Sequence, residues 1–215
     1  MYELICIGAS WGGLAAVSRV LADIPRDLDQ AIVIAQHRHP DAPSATLPEL
    51  LALQIARPVV DVEDKLPIEA GHVYVTPPDY HVLVEQGSFA LSLEGRVQYA
   101  RPSIDVLFET AADAYRERVI GVILTGSNED GAAGLQRIKE RGGVAVVQDP
   151  AQALRRTMPD AAIAATVADA ILPLEEIGPF LYGLCVPAAQ RPARDSGRAE
   201  GPRGNREVPP AGSRA

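Results

Sequence analysis

Three side chains able to carry out acyl transfer stand just past apolar runs of this chain. Ser10 follows Leu4-Ile5-Cys6-Ile7-Gly8-Ala9, His37 follows Ala31-Ile32-Val33-Ile34-Ala35-Gln36, and Asp130 lies in the loop after Val119-Ile120-Gly121-Val122-Ile123-Leu124. A hydroxyl, an imidazole and a carboxylate are the nucleophile, base and orienting acid of a hydrolase. Each also has a plainer reading alone: Ser10 as a helix cap, Asp130 as an acid at a helix N-terminus, His37 as a polar loop residue. Gly8, Ser10 and Gly13 also fall on the three glycine positions of the dinucleotide fingerprint, with the middle glycine replaced. That reading requires an acidic residue at the end of the second strand, where Gln36 and His37 stand instead. His37 and His39, two residues apart, resemble metal ligands only superficially, and no metal is expected.

The elements around these residues alternate. The run into Ser10, with Gly12-Gly13 after it, reads as strand, tight turn, helix. Leu14, Val17, Leu21 and Ile24 then recur at helical spacing until Pro25. The run at 31–35 has the continuous apolar character of a strand covered on both faces. A short helix follows, with Pro48 in its first turn and Leu47, Leu50 and Leu51 turned inward. Residues 57 to 101 read as strands with an antiparallel hairpin about Gln86-Gly87. Ile104, Leu107, Phe108, Ala111 and Tyr115 predict a helix capped by Ser103. Buried strands at 119–124 and 144–147 flank another helix through Leu135 and Ile138. The expected fold is therefore α/β, a three-layer doubly wound, mostly parallel sheet with an antiparallel hairpin. In such sheets ligands bind beyond the carboxyl ends of the strands, which collects Ser10, His37 and Asp130 on one edge.

Composition narrows the class further. With 215 residues, 47% of them hydrophobic, the chain supports one sizeable core, expected over 1–187. Residues 188–215 hold six Arg against Asp195, Glu200 and Glu207 and are rich in Pro and Gly, so a disordered tail is expected there. That segment carries +3 of a total of −8, which leaves the body at −11. An acidic body offers no footprint for nucleic acid. No window approaches a membrane span and no basic leader precedes the first apolar run, so membrane insertion and secretion are not expected. Cys6 and Cys185 read as buried thiols of a reducing compartment, and the expected location is cytoplasmic.

Five blocks in order carry a family resemblance: Gly8-Ala9-Ser10-Trp11-Gly12-Gly13, Gln36-His37, Pro78-Asp79-Tyr80-His81, Arg101-Pro102-Ser103-Ile104-Asp105-Val106-Leu107-Phe108, and Leu124-Thr125-Gly126 with Asp130-Gly131-Ala132-Ala133-Gly134. Over about residues 2 to 185 the chain resembles the catalytic domain of CheB-type chemotaxis protein-glutamate methylesterases. The resemblance implies hydrolysis of glutamyl methyl esters on cytoplasmic receptor helices to glutamate and methanol, with deamidation of glutamines as a second activity and no cofactor. It makes Ser10 the nucleophile, His37 the general base and then acid, and Asp130 the partner of the imidazole. Arg101 and His81 are expected to position substrate.

Departures from the family pattern also line the site. Trp11 stands where the family has a small hydroxyl residue, and Ser127-Asn128 replaces a methionine-glycine pair. With only Gly12 and Gly13 beside it, Trp11 is expected to be partly exposed and to contact substrate. The family's typical N-terminal receiver domain does not precede the first strand of this sequence, so regulation through it in cis is not expected. The methylated partner is then a chemoreceptor or another methylated protein. The competing reading is a methylesterase-like binding module without turnover, favoured by Trp11 and opposed by the complete set of Ser10, His37 and Asp130.

Overall fold

Alternation along one strand sets the layers. In the computed structural model, which describes residues 2–187, β1 (Leu4–Ala9) sends Leu4 and Cys6 to one face and Ile5 and Ile7 to the other, all fully buried. The tail expected from residue 188 onward lies outside the described residues. Both faces of the strand must then be covered by helices. The Ile5 face meets α1 (Gly13–Ala22), α2 (Thr46–Ala52) and α6 (Leu174–Cys185). The Cys6 face meets α3 (Ile104–Tyr115), α4 (Ala132–Glu140) and α5 (Thr157–Ala165).

The remaining strands are β2 (Ala31–Gln36), β3 (Val59–Asp61), β4 (Val73–Val75), β7 (Val119–Ile123), β8 (Val144–Gln148) and β9 (Ala170–Leu172), with β5 (His81–Glu85) and β6 (Ser88–Ser92) forming a separate hairpin. The main sheet runs β3-β4-β2-β1-β7-β8-β9, every pair parallel. In the hairpin Glu85 faces Ser88 across the Gln86-Gly87 turn, where Gly87 takes φ +86. Val82, Val84 and Phe89 press this hairpin into the core shared with α3.

The inward assignment of Leu50 changes, and Leu14 stands outside the buried face of its helix. Leu50 is 38% exposed and Leu14 39% exposed, because α1 buries Ala16, Val17, Val20 and Leu21 and α2 buries Leu47, Pro48 and Leu51. Both leucines therefore flank the carboxyl edge of the sheet. Cys6 and Cys185 are buried free thiols, and burial pushes Cys185 up to about 11. Among the described residues no helix is long and apolar enough to cross a membrane.

Candidate active site

The sheet order creates the site. β1 lies between β2 and β7, so the chain departs from β1 toward β2 on one side and returns to β7 on the other. Loops leaving β1 and β7 therefore diverge and open a crevice at the point of reversal. Ala9 pairs with Gln36 in register, which sets Ser10 and His37 one step further along adjacent strands. The Ser10 amide donates to the Thr125 carbonyl at 3.0 Å and the His37 amide to the Ala9 carbonyl at 3.0 Å. Gln36 Nε2 donates to the carbonyls of Ser10 at 2.8 Å and His37 at 3.1 Å. One side chain thus ties the two loops together.

The glycines after Ser10 are required by this packing. Gly12 adopts φ +80, and a Cβ there would stand 2.8 Å from the Leu154 side chain. A Cβ at Gly13 would strike the Gln36 side chain. The turn is consequently tight enough for Gly13 to donate to the Ser10 carbonyl at 2.9 Å.

His37 Nε2 lies 2.7 Å from Asp130 Oδ2. The carboxylate is fully buried, yet it is not isolated. Oδ2 also accepts from the Ile104 amide at 2.7 Å, and Oδ1 accepts from Ser103 Oγ at 2.8 Å and from the Asp105 amide at 3.0 Å. Ser103 is the N-cap of α3, its hydroxyl also accepting from the Val106 amide at 3.4 Å, so Asp130 sits on the positive end of a helix. Burial alone would push this carboxyl up. The His37 hydrogen bond and the Ile104 and Asp105 amides outweigh it and hold the group below the usual carboxylate range. An ionised Asp130 fixes the proton of His37 on Nε2 and leaves Nδ1 as the basic nitrogen.

Ser10 Oγ has no hydrogen-bond partner among the described residues, and neither do the amides of Trp11, Gly12, Ser127 and Asn128. These donors lie in the loops that leave β1 and β7 at the carboxyl edge of the sheet. A nucleophile at a strand end with unpaired N–H groups around it is the arrangement that binds an oxyanion.

The other three expected site residues separate. Trp11 is 61% exposed, its carbonyl held by Thr125 Oγ1 at 3.0 Å and its ring faced by the Arg155 guanidinium 5.8 Å from the centroid. Arg101 lines the cleft with His37, Arg38, Tyr99 and Asn128. Its donors are already engaged, by Asp79 at 3.0 Å and by the carbonyls of Leu93 at 2.8 Å and Glu94 at 3.0 Å. His81, expected to touch substrate, is instead buried. It is 2% exposed, with Nε2 donating to the Gly95 carbonyl at 3.0 Å and Nδ1 accepting from the Ser103 amide at 3.2 Å. The ring braces the cap residue of α3 and presents no edge to a docking helix.

Residues 5–181 match the family model described as CheB methylesterase. The chain belongs to the CheB methylesterase family. A Caulobacter vibrioides protein-glutamate methylesterase/protein-glutamine glutaminase is 36% identical over 83% of this chain and 53% of its own length. A protein of Leptospira interrogans is 47% identical over 85% of this chain and 95% of its own length. The chain thus spans about half of some relatives and nearly all of others. The crystal structure of the Thermotoga maritima CheB methylesterase catalytic domain superposes with a TM-score of 0.80 at 29% identity, covering 86% of this chain and 99% of that one. The sequence blocks of the resemblance mark the serine, histidine and aspartate positions. Gln36, Ser103 and Asp105 fall within the same blocks without a part at the site assigned to them. Their roles arise from contacts between distant segments, although Asp105 gave one signal, an acid on the same helix face as Phe108 and Ala112.

Proposed function

We propose that this chain hydrolyses γ-methyl esters of glutamate side chains on a cytoplasmic protein, a methylated chemoreceptor helix being the substrate that its family relation favours. The observation that carries the reading is the His37–Asp130 pair at 2.7 Å beside Ser10 on adjacent strand ends. Ser10 Oγ attacks the ester carbonyl while His37 Nδ1 accepts the hydroxyl proton. Asp130 balances the imidazolium, and the unpaired amides after Ser10 and in the Ser127-Asn128 turn hold the oxyanion. Collapse of the tetrahedral adduct breaks the bond to methoxide, which leaves as methanol with the His37 proton. Water activated by the same nitrogen then releases glutamate and restores Ser10. With a glutamine side chain the same steps release ammonia, which is deamidation.

Binding without turnover is the alternative favoured by the exposed Trp11 and by the absence of a partner for Ser10 Oγ. Methanol release from a methylated receptor fragment separates the two. Turnover that Ser10→Ala abolishes supports the esterase. Wild-type turnover in Ser10→Ala removes Ser10 as nucleophile, no turnover in the unaltered protein leaves the binding module, and loss of activity to chelators sinks the triad.

A further inference from the structure

The N-termini of α3 and α4 exchange caps. Asp130, the residue before the α4 N-cap Gly131, gives its carboxylate to the amides of Ile104 and Asp105 on α3. Asp105 returns the contact, its Oδ1 accepting from Gly131 at 2.9 Å and Gly134 at 2.7 Å on α4. Orphan amides and the helix dipole make each N-terminus a favourable place for an anion. The fit between the helices is close, for a Cβ at Gly134 would lie 3.0 Å from both the Cα and the carbonyl oxygen of Asp105. Asp130 cannot shift against His37 unless the start of α4 moves with it. The reaction above uses Asp130 and gives Asp105 no part.

We propose that Asp105 is a positioning residue of this site, fixing the Asp130 loop through the α4 cap and adding a second negative charge behind the imidazole. The inference rests on the reading of Ser10, His37 and Asp130 as a triad. The groups facing Asp105 are few. Asp130 faces it from the β7–α4 loop, with His37 beyond Asp130 from the loop after β2. From β5, His81 is bound to the adjacent Ser103 amide. The first turn of α4 offers amides and no charged side chain, and Glu109 on α3 itself is exposed. Burial pushes the Asp105 carboxyl up to about 6, with the Asp130 charge adding to it and the Gly134 and Gly131 amides opposing.

Two variants test this. Asp105→Asn keeps an oxygen for the Gly131 and Gly134 amides and removes the charge, whereas Asp105→Ala removes both. The probe is methanol release from a methylated receptor fragment, followed across pH. With one anion fewer near the imidazole, the protonated ring is easier to deprotonate. The acid limb of kcat/KM in Asp105→Asn should therefore move to lower pH by about half a unit or more. Asp105→Ala should lose about 10-fold or more in kcat with KM within about 3-fold, and Asp105→Asn should recover most of that loss. An Asn profile that superimposes on the wild type overturns the proposal, as does full turnover in Asp105→Ala. If the Ala variant does not fold, the Asn profile decides alone. Activity surviving Ser10→Ala would sink the triad reading itself, whereas an unshifted profile in an enzyme that Ser10→Ala inactivates sinks only the role of Asp105.

Discussion

Asp130 holds His37 by Nε2, at 2.7 Å, which leaves Nδ1 as the ring nitrogen not engaged by that carboxylate. The same carboxylate accepts four hydrogen bonds, so its replacement alters more than one contact. Asp130→Asn would set an NH2 group against donors and remove the charge that stabilises the imidazolium. Turnover is expected to fall by about 10² to 10⁴, and single-turnover acylation should slow in parallel. A loss below about twofold would transfer the role to another carboxylate, Glu129 being the nearest in sequence.

Trp11 offers exposed aromatic surface next to the nucleophile, and its main chain is fixed independently of the ring by Thr125. Trp11→Thr should therefore remove contact area without collapsing the loop. We expect KM for the true substrate to rise by about 5- to 150-fold, equivalent to about 1 to 3 kcal/mol, with kcat largely kept. Steady-state kinetics read this directly. A drop in thermal stability with unchanged KM would assign the ring to packing.

Gly134 marks where α3 and α4 approach most closely. A methyl group there would stand 2.6 Å from Phe108 Cβ and 3.0 Å from Asp105 backbone atoms, and backbone cannot rotate aside as a side-chain tip does. Gly134→Ala is expected to cost about 1 to 3 kcal/mol in urea unfolding, with kcat reduced as Asp130 is displaced. Unchanged stability would mean that the helix ends are free to separate.

The two buried carboxyls respond to pH in opposite senses. Asp105, raised to about 6 from an ordinary 3.8, contributes stability when protonated, present below the ordinary carboxylate range and lost as pH rises through about 6. Asp130, held below that range, contributes stability above it and loses it only as pH falls further. The Tm of Asp105→Asn relative to the wild type should therefore increase between about pH 4.5 and pH 7.5. Scanning calorimetry at matched ionic strength checks this, and a difference constant across that window contradicts it.

Much of the frame was legible in the sequence because the central strands β1, β2 and β7 are nearly continuous apolar runs that give way to polar residues, Ser10, Gln36 and Thr125, at the sheet edge. The edge strands β3 and β9, three residues each and half-buried, carry too little pattern to be distinguished from loop. α5 is built largely of alanine, with Pro159 in its first turn, so its apolar face is faint. The gathering of Ser10, His37 and Asp130 at one edge of the sheet was readable from strand order. The carboxylate exchange between Asp105 and Asp130 was not, since it depends on two helix ends meeting across 25 residues of chain.

The chain contains a single tryptophan, and that residue directly follows Ser10 with its ring beneath the Arg155 guanidinium. Excited selectively over the six tyrosines, its intrinsic emission is consequently an optical probe of one place. In Ser10→Ala, where docking is uncoupled from chemistry, a methylated helix that covers the indole should shift that emission to shorter wavelength, giving an equilibrium affinity without any label.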